Sequence, residues 1–263
     1  MDINFSKIFH QISKNKDLLQ GMFLNPPEES KDTPEEWSTI YYKTYPHLPK
    51  IDLNKESLPP TANFFTLIKS RRSRRNFSSQ SVTKKELSLL LRYSCGITDA
   101  TEKRRAQPSG GARYPIEVYP IIFRSGNPST DPDGTVGADG LKSGLYHYNV
   151  KDHQLDVLWQ REFDEDDIRR LSATDETFQY LKDAAAIIVM TSVFWRNQNK
   201  YGERGYRIIL QESGHIGQNI YLVAEAIGLK CFALSGTWDE NLEKLIDIDG
   251  ITESVVYGLA IGK

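Results

Sequence analysis

Several common functional signatures are missing from this chain of 263 residues. It contains only two cysteines, Cys95 and Cys231, which are too far apart for a C-x-x-C motif or a metal-binding spacing. We therefore expect two free thiols in a cytoplasmic protein. None of the five histidines forms an H-x-x-x-H pair with another, so the sequence predicts no zinc site.

The chain also lacks a strong charge of either sign and any long apolar run. Its formal net charge is −2, so whole-molecule electrostatics favour neither nucleic acid nor a membrane surface as a partner. No apolar run approaches the roughly 20 residues that span a bilayer, and the first residues lack the apolar core of a secretory signal. With 39% hydrophobic and 26% charged residues, the composition is typical of a soluble globular protein.

Helix and strand patterns alternate irregularly along the chain. We predict an N-terminal helix and extended, proline-rich arm in residues 1–60, and one domain in residues 61–263. Helices are predicted at 4–19, 64–69, from Thr83 with Glu86 in capping-box register, 164–171, 203–227 and 239–246. Strands are predicted at 116–123, 144–150, 154–159, 184–193, 230–234 and 255–261, with a long loop at 124–143. This order lacks the regular βαβ alternation of a doubly wound sheet.

The longest predicted helix ends at Gly228 and carries small residues at Ser213, Gly214 and Gly217. Each glycine costs roughly 1 kcal/mol of helix stability relative to alanine, so the close approach of another backbone or a flat ligand is the usual compensation. Three polar residues lie on one side of this helix at spacings of three and four: Glu212, His215 and Asn219. A structural hydrogen-bond network is the favoured interpretation, and contact with a ligand is the alternative.

Four arginines lie within five residues near the start of the domain. With the intervening serine, the cluster consists of Arg71, Arg72, Ser73, Arg74 and Arg75. Guanidinium groups bind phosphate oxygens bidentately, so a phosphate site is one interpretation and a solvated basic patch is the other. A nucleic-acid site is not indicated, because acidic residues elsewhere offset this short cluster.

Two glycine-containing segments can approach a flat or anionic ligand closely. Residues 108–115 have the sequence PSGGARYP, and residues 235–237 directly follow a predicted strand with the sequence SGT. The first segment matches neither a Walker loop nor a dinucleotide-binding fingerprint. Taken alone, each segment is more simply an ordinary turn next to a strand.

A Lys-Tyr pair, Lys200 and Tyr201, precedes the long helix. A free phenol has a pKa of about 10, so its use as a base at pH 7 requires roughly 4 kcal/mol of stabilisation of the phenolate. A neighbouring ammonium group favours the phenolate, which is a physical reason to combine these two residues. The chain has 13 tyrosines, so chance is the alternative explanation for this dipeptide.

Taken in order, these segments resemble the FMN-dependent nitroreductase superfamily. More narrowly, they resemble its SagB-type branch, the azoline dehydrogenases that form thiazoles and oxazoles in ribosomally made peptides. The resemblance covers about residues 41–263 and rests on YYKTYPHLPKIDL, RRSRRNF, QPSGGARYPIEVY, GLYHYNVKDHQLDVL, and KYGERGYR with ESGHIGQNIYLVAEAIGL. It implies an α+β, nitroreductase-like α/β sandwich and a homodimer with FMN at its interface. The long helix would be central to that dimer, and its small residues would be the close-packed part.

The resemblance also implies which residues bind FMN. These are Arg71, Arg72, Ser73, Arg75, Pro108, Ser109, Gly110, Ser235, Gly236 and Lys263. The arginine segment would contact the phosphate and ribityl chain, the Pro-Ser turn would cover the isoalloxazine across the dimer interface, and the strand end would lie near flavin N5. The chain departs from the family pattern twice: Ser235 replaces an acidic residue, and only Lys263 is available where relatives have basic residues in a longer tail.

The implied reaction is the two-electron oxidation of a thiazoline or oxazoline to a thiazole or oxazole. FMN would accept the hydride, Tyr201 assisted by Lys200 would remove the proton, and oxygen would reoxidise the flavin. Which of the two residues is the base stays open, since Lys200 can instead orient the substrate. The expected partners are an azoline-containing peptide, a second copy of the chain and a cyclodehydratase. The alternatives are an NAD(P)H-dependent nitro or quinone reductase and a flavin-free scaffold that holds a peptide-modifying partner.

Overall fold

A computed structural model describes residues 5–14, 34–37, 39–55, 63–126, 129–130, 136–137 and 141–263. Three of the sequence predictions lie partly outside these residues: the helix at 4–19, the arm, and the loop at 124–143. No helix in the described part of the chain is long and apolar enough to cross a membrane.

The described helices and strands alternate along the whole domain. The helices are α1 (Phe5–Ile12), α2 (Phe64–Ser70), α3 (Lys84–Cys95), α4 (Glu165–Leu171), α5 (Asp175–Leu181), α6 (Trp195–Tyr201), α7 (Arg204–Ala226) and α8 (Asp239–Ile246). The strands are β1 (Lys50–Asp52), β2 (Ile97–Asp99), β3 (Arg104–Arg105), β4 (Ile116–Ile122), β5 (Ser129–Thr130), β6 (Val136–Gly137), β7 (Gly144–Asn149), β8 (Gln154–Gln160), β9 (Ala186–Val193), β10 (Lys230–Leu234) and β11 (Glu253–Gly262). Short 3-10 turns cover Glu35–Trp37 and Gly110–Ala112.

Seven strands form one antiparallel sheet in the order β1-β8-β7-β4-β9-β11-β10. In its centre, Val118 of β4 lies opposite Met190 of β9, and Leu259 of β11 lies opposite Ile188. The prediction of a mixed fold without regular βαβ units is confirmed, because antiparallel neighbours do not need a helical crossover between them.

Helices cover both faces of this sheet and form an α/β/α sandwich. On one face, α3 and α7 contribute buried residues such as Leu90 and Ile216, and on the other α4, α5 and α8 contribute residues such as Phe178. Alternate residues of β9 belong to the two cores, with Ile188 in the first and Val189 in the second. A strand buried on both faces explains the continuous apolar run that the sequence shows there.

Local signals account for several boundaries. Thr83 and Glu86 form the predicted capping box at the start of α3. Helix α7 ends at Ala226, and Gly228 follows with φ +78°, a conformation that favours glycine. The Lys-Tyr pair lies at the end of a separate helix, α6, because Gly202 at φ +52° interrupts the chain before α7 begins.

The small residues of α7 have different surroundings within the chain. A β-carbon on Gly217 would lie 2.5 Å from Cε1 of Tyr257, so this glycine makes room for an aromatic ring of β11. Ser213 is buried and donates a hydrogen bond to the Leu210 carbonyl over 2.8 Å. Gly214 faces open space. The prediction that all three serve a dimer contact therefore needs correction for Gly217, whose close packing is intramolecular.

Candidate active site

The Pro-Ser turn and the Lys-Tyr pair meet in one chain. Gly111 follows Ser109 and Gly110 with φ +64°, and a β-carbon on it would lie 2.5 Å from the Tyr201 hydroxyl and 3.5 Å from Lys200 Nζ. The turn thus packs directly on the two polar groups. Two segments about 90 positions apart in the sequence, both assigned to the site, are neighbours in the fold.

The Lys200 ammonium group lies between two aromatic rings. Its Nζ is 5.7 Å from the centroid of Trp37, in the arm, and 5.7 Å from the centroid of Tyr201. Aromatic faces attract cations at such distances. Tyr41 packs edge-on against Trp195, with ring centroids 5.3 Å apart. The arm therefore forms one wall of the pair's surroundings.

Glu212 of α7 anchors the turn through hydrogen bonds. Ser109 Oγ donates to its Oε2 over 2.5 Å and Gln107 Nε2 to its Oε1 over 3.3 Å, while Ser109 Oγ also accepts from the Tyr114 amide over 2.9 Å. Burial raises the pKa of Glu212 to about 7, although these two hydrogen bonds favour its charged form. The carboxyl group thus couples α7 to the turn.

The predicted network of Glu212, His215 and Asn219 is wrong in its membership. His215 is exposed, and Asn219 donates to the Ser94 carbonyl over 3.1 Å. Glu212 alone of the three bonds to the turn. Helical spacing put the three residues on one side of α7, but different segments pack against different parts of that side.

Arg113 was not singled out by sequence reasoning, yet it is 1% exposed and central to the site. Its Nε donates to the Arg196 carbonyl over 2.9 Å and its Nη1 to the Thr39 carbonyl over 3.2 Å. Burial raises the pKa of Tyr201, and the positive charge of Arg113 opposes that rise. The only sequence signal was its position inside the segment QPSGGARYPIEVY.

The arginine cluster forms a second group of candidate residues around Tyr221 and Phe232. Arg71 lies 5.1 Å from the Tyr221 ring centroid, and Ser73 Oγ lies 2.9 Å from the Tyr221 hydroxyl. Arg75 lies 5.2 Å from the Phe232 centroid. Arg71 and Ser73 thus lie at Tyr221, and Arg75 lies at Phe232.

The other predicted phosphate ligands have protein partners. Arg74, outside the predicted set, is ion-paired with Glu225. Arg72 donates to the carbonyls of Lys69 and Arg71, and Lys263 Nζ lies 3.1 Å from a carboxylate oxygen of Glu86. In the part of the chain that the structure describes, no carboxylate forms an ion pair with Arg71 or Arg75. Both guanidinium groups can therefore contact an anion, although Arg71 also helps Arg74 to lower the pKa of Glu225.

The strand end at Ser235 and Gly236 lies with Arg75 around one cavity of about 380 Å³. Ser235 is exposed, and a β-carbon on Gly236 would lie 2.2 Å from Thr177 Oγ1. Glycine is therefore required sterically where the chain leaves β10. Of the predicted cofactor-binding residues, this cavity brings together Arg75, Ser235 and Gly236.

Helix α7 separates this cluster from the Lys-Tyr pair. Gly110 packs on Ile208, and a β-carbon there would lie 2.5 Å from Ile208 Cγ2. The arginine segment packs on Tyr221, thirteen positions later and about 20 Å further along the axis at about 1.5 Å per residue. The two groups of candidate residues thus lie near opposite ends of α7 in one chain.

The sequence matches known proteins over most of its length. The sequence profile of the nitroreductase family matches residues 68–263. The putative nitroreductase MJ1384 of Methanocaldococcus jannaschii is 29% identical over 68% of this chain and 81% of its own. The trifolitoxin-processing protein TfxB of Rhizobium leguminosarum bv. trifolii is 29% identical over 66% of this chain and 46% of its own. The microcin B17-processing protein McbC of Escherichia coli is 33% identical over 57% and 51%. The chain thus spans about half the length of the last two.

Solved structures share the fold. A putative nitroreductase from Anabaena variabilis has a TM-score of 0.70 at 23% identity, over 99% of this chain and 46% of that one. A chain of the E. coli microcin synthetase McbBCD complex with truncated pro-MccB17 bound has a TM-score of 0.60 at 24% identity, over 98% and 91%. The resemblance to nitroreductases and the α/β sandwich that it implied are confirmed. With its family profile matched from residue 68 to residue 263, the chain belongs to the nitroreductase family of oxidoreductases.

Proposed function

We propose that the chain is an FMN-dependent dehydrogenase that oxidises thiazolines or oxazolines to thiazoles or oxazoles in a ribosomally made peptide. The observation that carries this proposal is the contact between the Lys200-Tyr201 pair and the Ser109–Gly111 turn. The resemblance assigns the first to azoline oxidation and the second to the flavin. Support also comes from two relatives that are processing proteins for trifolitoxin and microcin B17.

The residues present fit FMN. Arg71 and Arg75 offer charges without a carboxylate partner among the described residues, and Ser73 adds a hydroxyl beside them. Ser235 is exposed at the end of β10 and lines one cavity together with Gly236 and Arg75. When bound, FMN would accept a hydride from the substrate and pass the electrons to oxygen.

The protein's own residues would handle the proton and the geometry. Loss of a hydride from the azoline ring must be accompanied by loss of a proton, and the phenolate oxygen of ionised Tyr201 is the proposed acceptor. Lys200, held against Trp37, would orient the substrate or stabilise the phenolate. Because the product ring is aromatic, the oxidation is favourable without a nicotinamide cofactor.

We further propose that the complete site spans two copies of the chain. The turn with the Lys-Tyr pair and the arginine segment with the strand end lie about 20 Å apart along α7. The first group of one protomer would therefore complete a site with the second group of the other protomer. A twofold axis that pairs α7 helices antiparallel would bring opposite ends together. The proposed dimer makes Gly214, which faces open space in one chain, a candidate contact.

A cyclodehydratase is the proposed neighbour in the reaction sequence, since some enzyme must first form the azoline ring. The similarity to a chain of the microcin synthetase complex, solved with a truncated pro-peptide, favours such an association. The division of the chain near residue 60 and a cytoplasmic location stay predictions.

The test is to incubate the FMN-loaded protein with an azoline-containing peptide in air and to measure the peptide mass. The proposal predicts a loss of about 2 Da per ring without NAD(P)H. An unchanged peptide combined with rapid NADPH oxidation would favour a nitro or quinone reductase instead. A protein that purifies colourless and does not bind added FMN would favour a scaffold.

A further inference from the structure

Arg113 is a buried cation, and no carboxylate of the described residues forms an ion pair with it. Of its side-chain nitrogens, Nε and Nη1 donate to the carbonyls of Arg196 and Thr39, and the buried Nη2 has no hydrogen-bond partner among the described residues. The buried carboxylates Glu117 and Glu212 bond to other residues, Glu117 to Arg196 and His147, and Glu212 to Ser109 and Gln107. Buried charges are ordinarily paired, so an unpaired guanidinium group suggests that an anion forms beside it.

The same side chain joins three segments of the candidate site. Arg113 follows Gly111, whose backbone contacts the Tyr201 hydroxyl. Its hydrogen bond to Arg196 reaches the first turn of α6, the helix that ends at Tyr201. Its hydrogen bond to Thr39 reaches the arm, two residues after the Trp37 ring that faces Lys200. Turn, helix and arm are thus fixed relative to one another by one guanidinium group.

Electrostatic interactions also connect Arg113 with Tyr201. Burial raises the pKa of Tyr201 and the charge of Arg113 acts against that rise. Burial also lowers the pKa of Arg113, against the effects of Tyr41 and Tyr201. Other titratable groups also lie around the turn. Lys200 is on α6, Glu212 on α7 bonds to the turn itself, and Tyr41, Tyr114 and Arg105 lie on the segments that pack against it.

From these observations, and resting on the proposed function, we propose that Arg113 is a positioning residue for the reaction. Its guanidinium group holds the turn, α6 and the arm together, and its positive charge stabilises the Tyr201 phenolate. The sequence suggested Lys200 for the second task. Because Arg113 stabilises the phenolate, Lys200 is not needed for that role and can contact the substrate next to Trp37.

The test compares Arg113→Gln, which removes the charge, with Arg113→Lys, which keeps it but loses the planar fork. Arg124→Gln is the matched control, because Arg124 also donates to main-chain carbonyls, those of Ala184 and Lys182, outside the site. Ionisation of Tyr201 is followed by NMR of protein labelled with ¹³C at tyrosine Cζ, and its signal is assigned with Tyr201→Phe. The pH profile of azoline oxidation is measured in parallel.

We expect Arg113→Gln to move the ionisation of Tyr201 upward by about one pH unit or more and to slow oxidation about tenfold below that pH. Arg113→Lys should keep most of the ionisation shift, and Arg124→Gln should change neither quantity. An unchanged Tyr201 titration in Arg113→Gln overturns the charge assignment even if activity falls. If Arg113→Gln does not fold, Arg113→Lys still tests the proposal. Slowed oxidation with an unmoved pH profile in Arg113→Lys supports both the positioning role and the charge effect. Full activity in Arg113→Lys overturns the positioning role. The titration needs no substrate, so it tests the inference even if azoline oxidation itself is not observed.

Discussion

Gly111 is the residue at which the turn meets the Lys-Tyr pair, and it tolerates no side chain there. A β-carbon would lie 2.5 Å from the Tyr201 hydroxyl. We expect Gly111→Ala to displace Tyr201 and to reduce azoline oxidation at least about tenfold, in addition to about 1 kcal/mol of backbone strain. Steady-state kinetics and urea unfolding measure the two effects separately.

Gly228→Ala is the control for this substitution. Gly228 also has a positive φ, +78°, but nothing lies within 4 Å of its β-carbon position. It should show a similar loss of stability with normal kinetics. Equal kinetics in the two variants would mean that contact between Gly111 and Tyr201 is not needed for activity.

The raised pKa of Glu212 implies that the free energy of unfolding depends on pH. Its folded-state pKa of about 7 lies above the ordinary value of 4.5, so the folded state holds the proton more tightly. Its contribution to stability is complete below about pH 4.5 and is lost as the pH rises to about 7, at most about 3 kcal/mol. In Glu212→Gln, the fall in unfolding free energy between pH 5 and pH 8 should be smaller than in the wild type. Glu240→Gln, at an exposed glutamate, should leave it unchanged, and an identical slope in Glu212→Gln would contradict the assignment.

Site residues could be predicted from the sequence where they are adjacent in the chain. They could not be predicted where folding brings distant segments together. Lys200 and Tyr201 are adjacent in the chain, so their combination was visible. Arg113 bonds to main-chain carbonyls 83 and 74 positions away. No side-chain pattern reports such bonds, and they emerge only when α6 and the arm pack on the turn.

At the scale of elements, boundaries were predictable where capping residues or apolar periodicity mark them. The capping box at Thr83 and the glycine after α7 were both identified correctly. Several short elements, among them β1, α5 and α6, were not predicted as such. Strand β1 has only three residues and gains its pairing from β8, and so short a segment has no period to detect.

Two glycines of α7, Gly217 and Gly214, give opposite expectations for an added methyl group. Gly217→Ala should lower the unfolding free energy by about 1–3 kcal/mol, because its β-carbon would lie 2.5 Å from the Tyr257 ring. Gly214→Ala adds the same methyl group in open space and should gain up to about 1 kcal/mol of helix propensity. Urea denaturation of both variants measures the difference. A Gly217→Ala protein as stable as Gly214→Ala would show that the ring moves aside without cost.

At the scale of the whole molecule, the sequence predicted the fold class because the family resemblance covered most of the domain. It did not reveal that one chain holds the arginine segment and the Lys-Tyr pair about 20 Å apart along α7. That separation depends on how far each segment lies along the helix once packed. Sequence order gives no direct measure of it.

The separation leads to a complementation prediction. An Arg71→Ala/Arg75→Ala double variant and a Tyr201→Phe variant should each be inactive alone. If sites span two protomers, mixed and refolded chains should recover about a quarter of wild-type activity, because half of the dimers are mixed and each has one intact site. If each site lies within one chain, the mixture should stay inactive. Mixing each variant with itself is the control.

The most direct test of the account is a single turnover without air. Oxidised, FMN-loaded protein is mixed anaerobically with an azoline-containing peptide in the absence of NAD(P)H. The flavin absorbance at about 450 nm is then recorded. An azoline dehydrogenase should bleach the flavin as the azole forms, and Tyr201→Phe that still binds FMN should show no bleaching. A flavin that stays oxidised with the peptide but bleaches on addition of NADPH would contradict it.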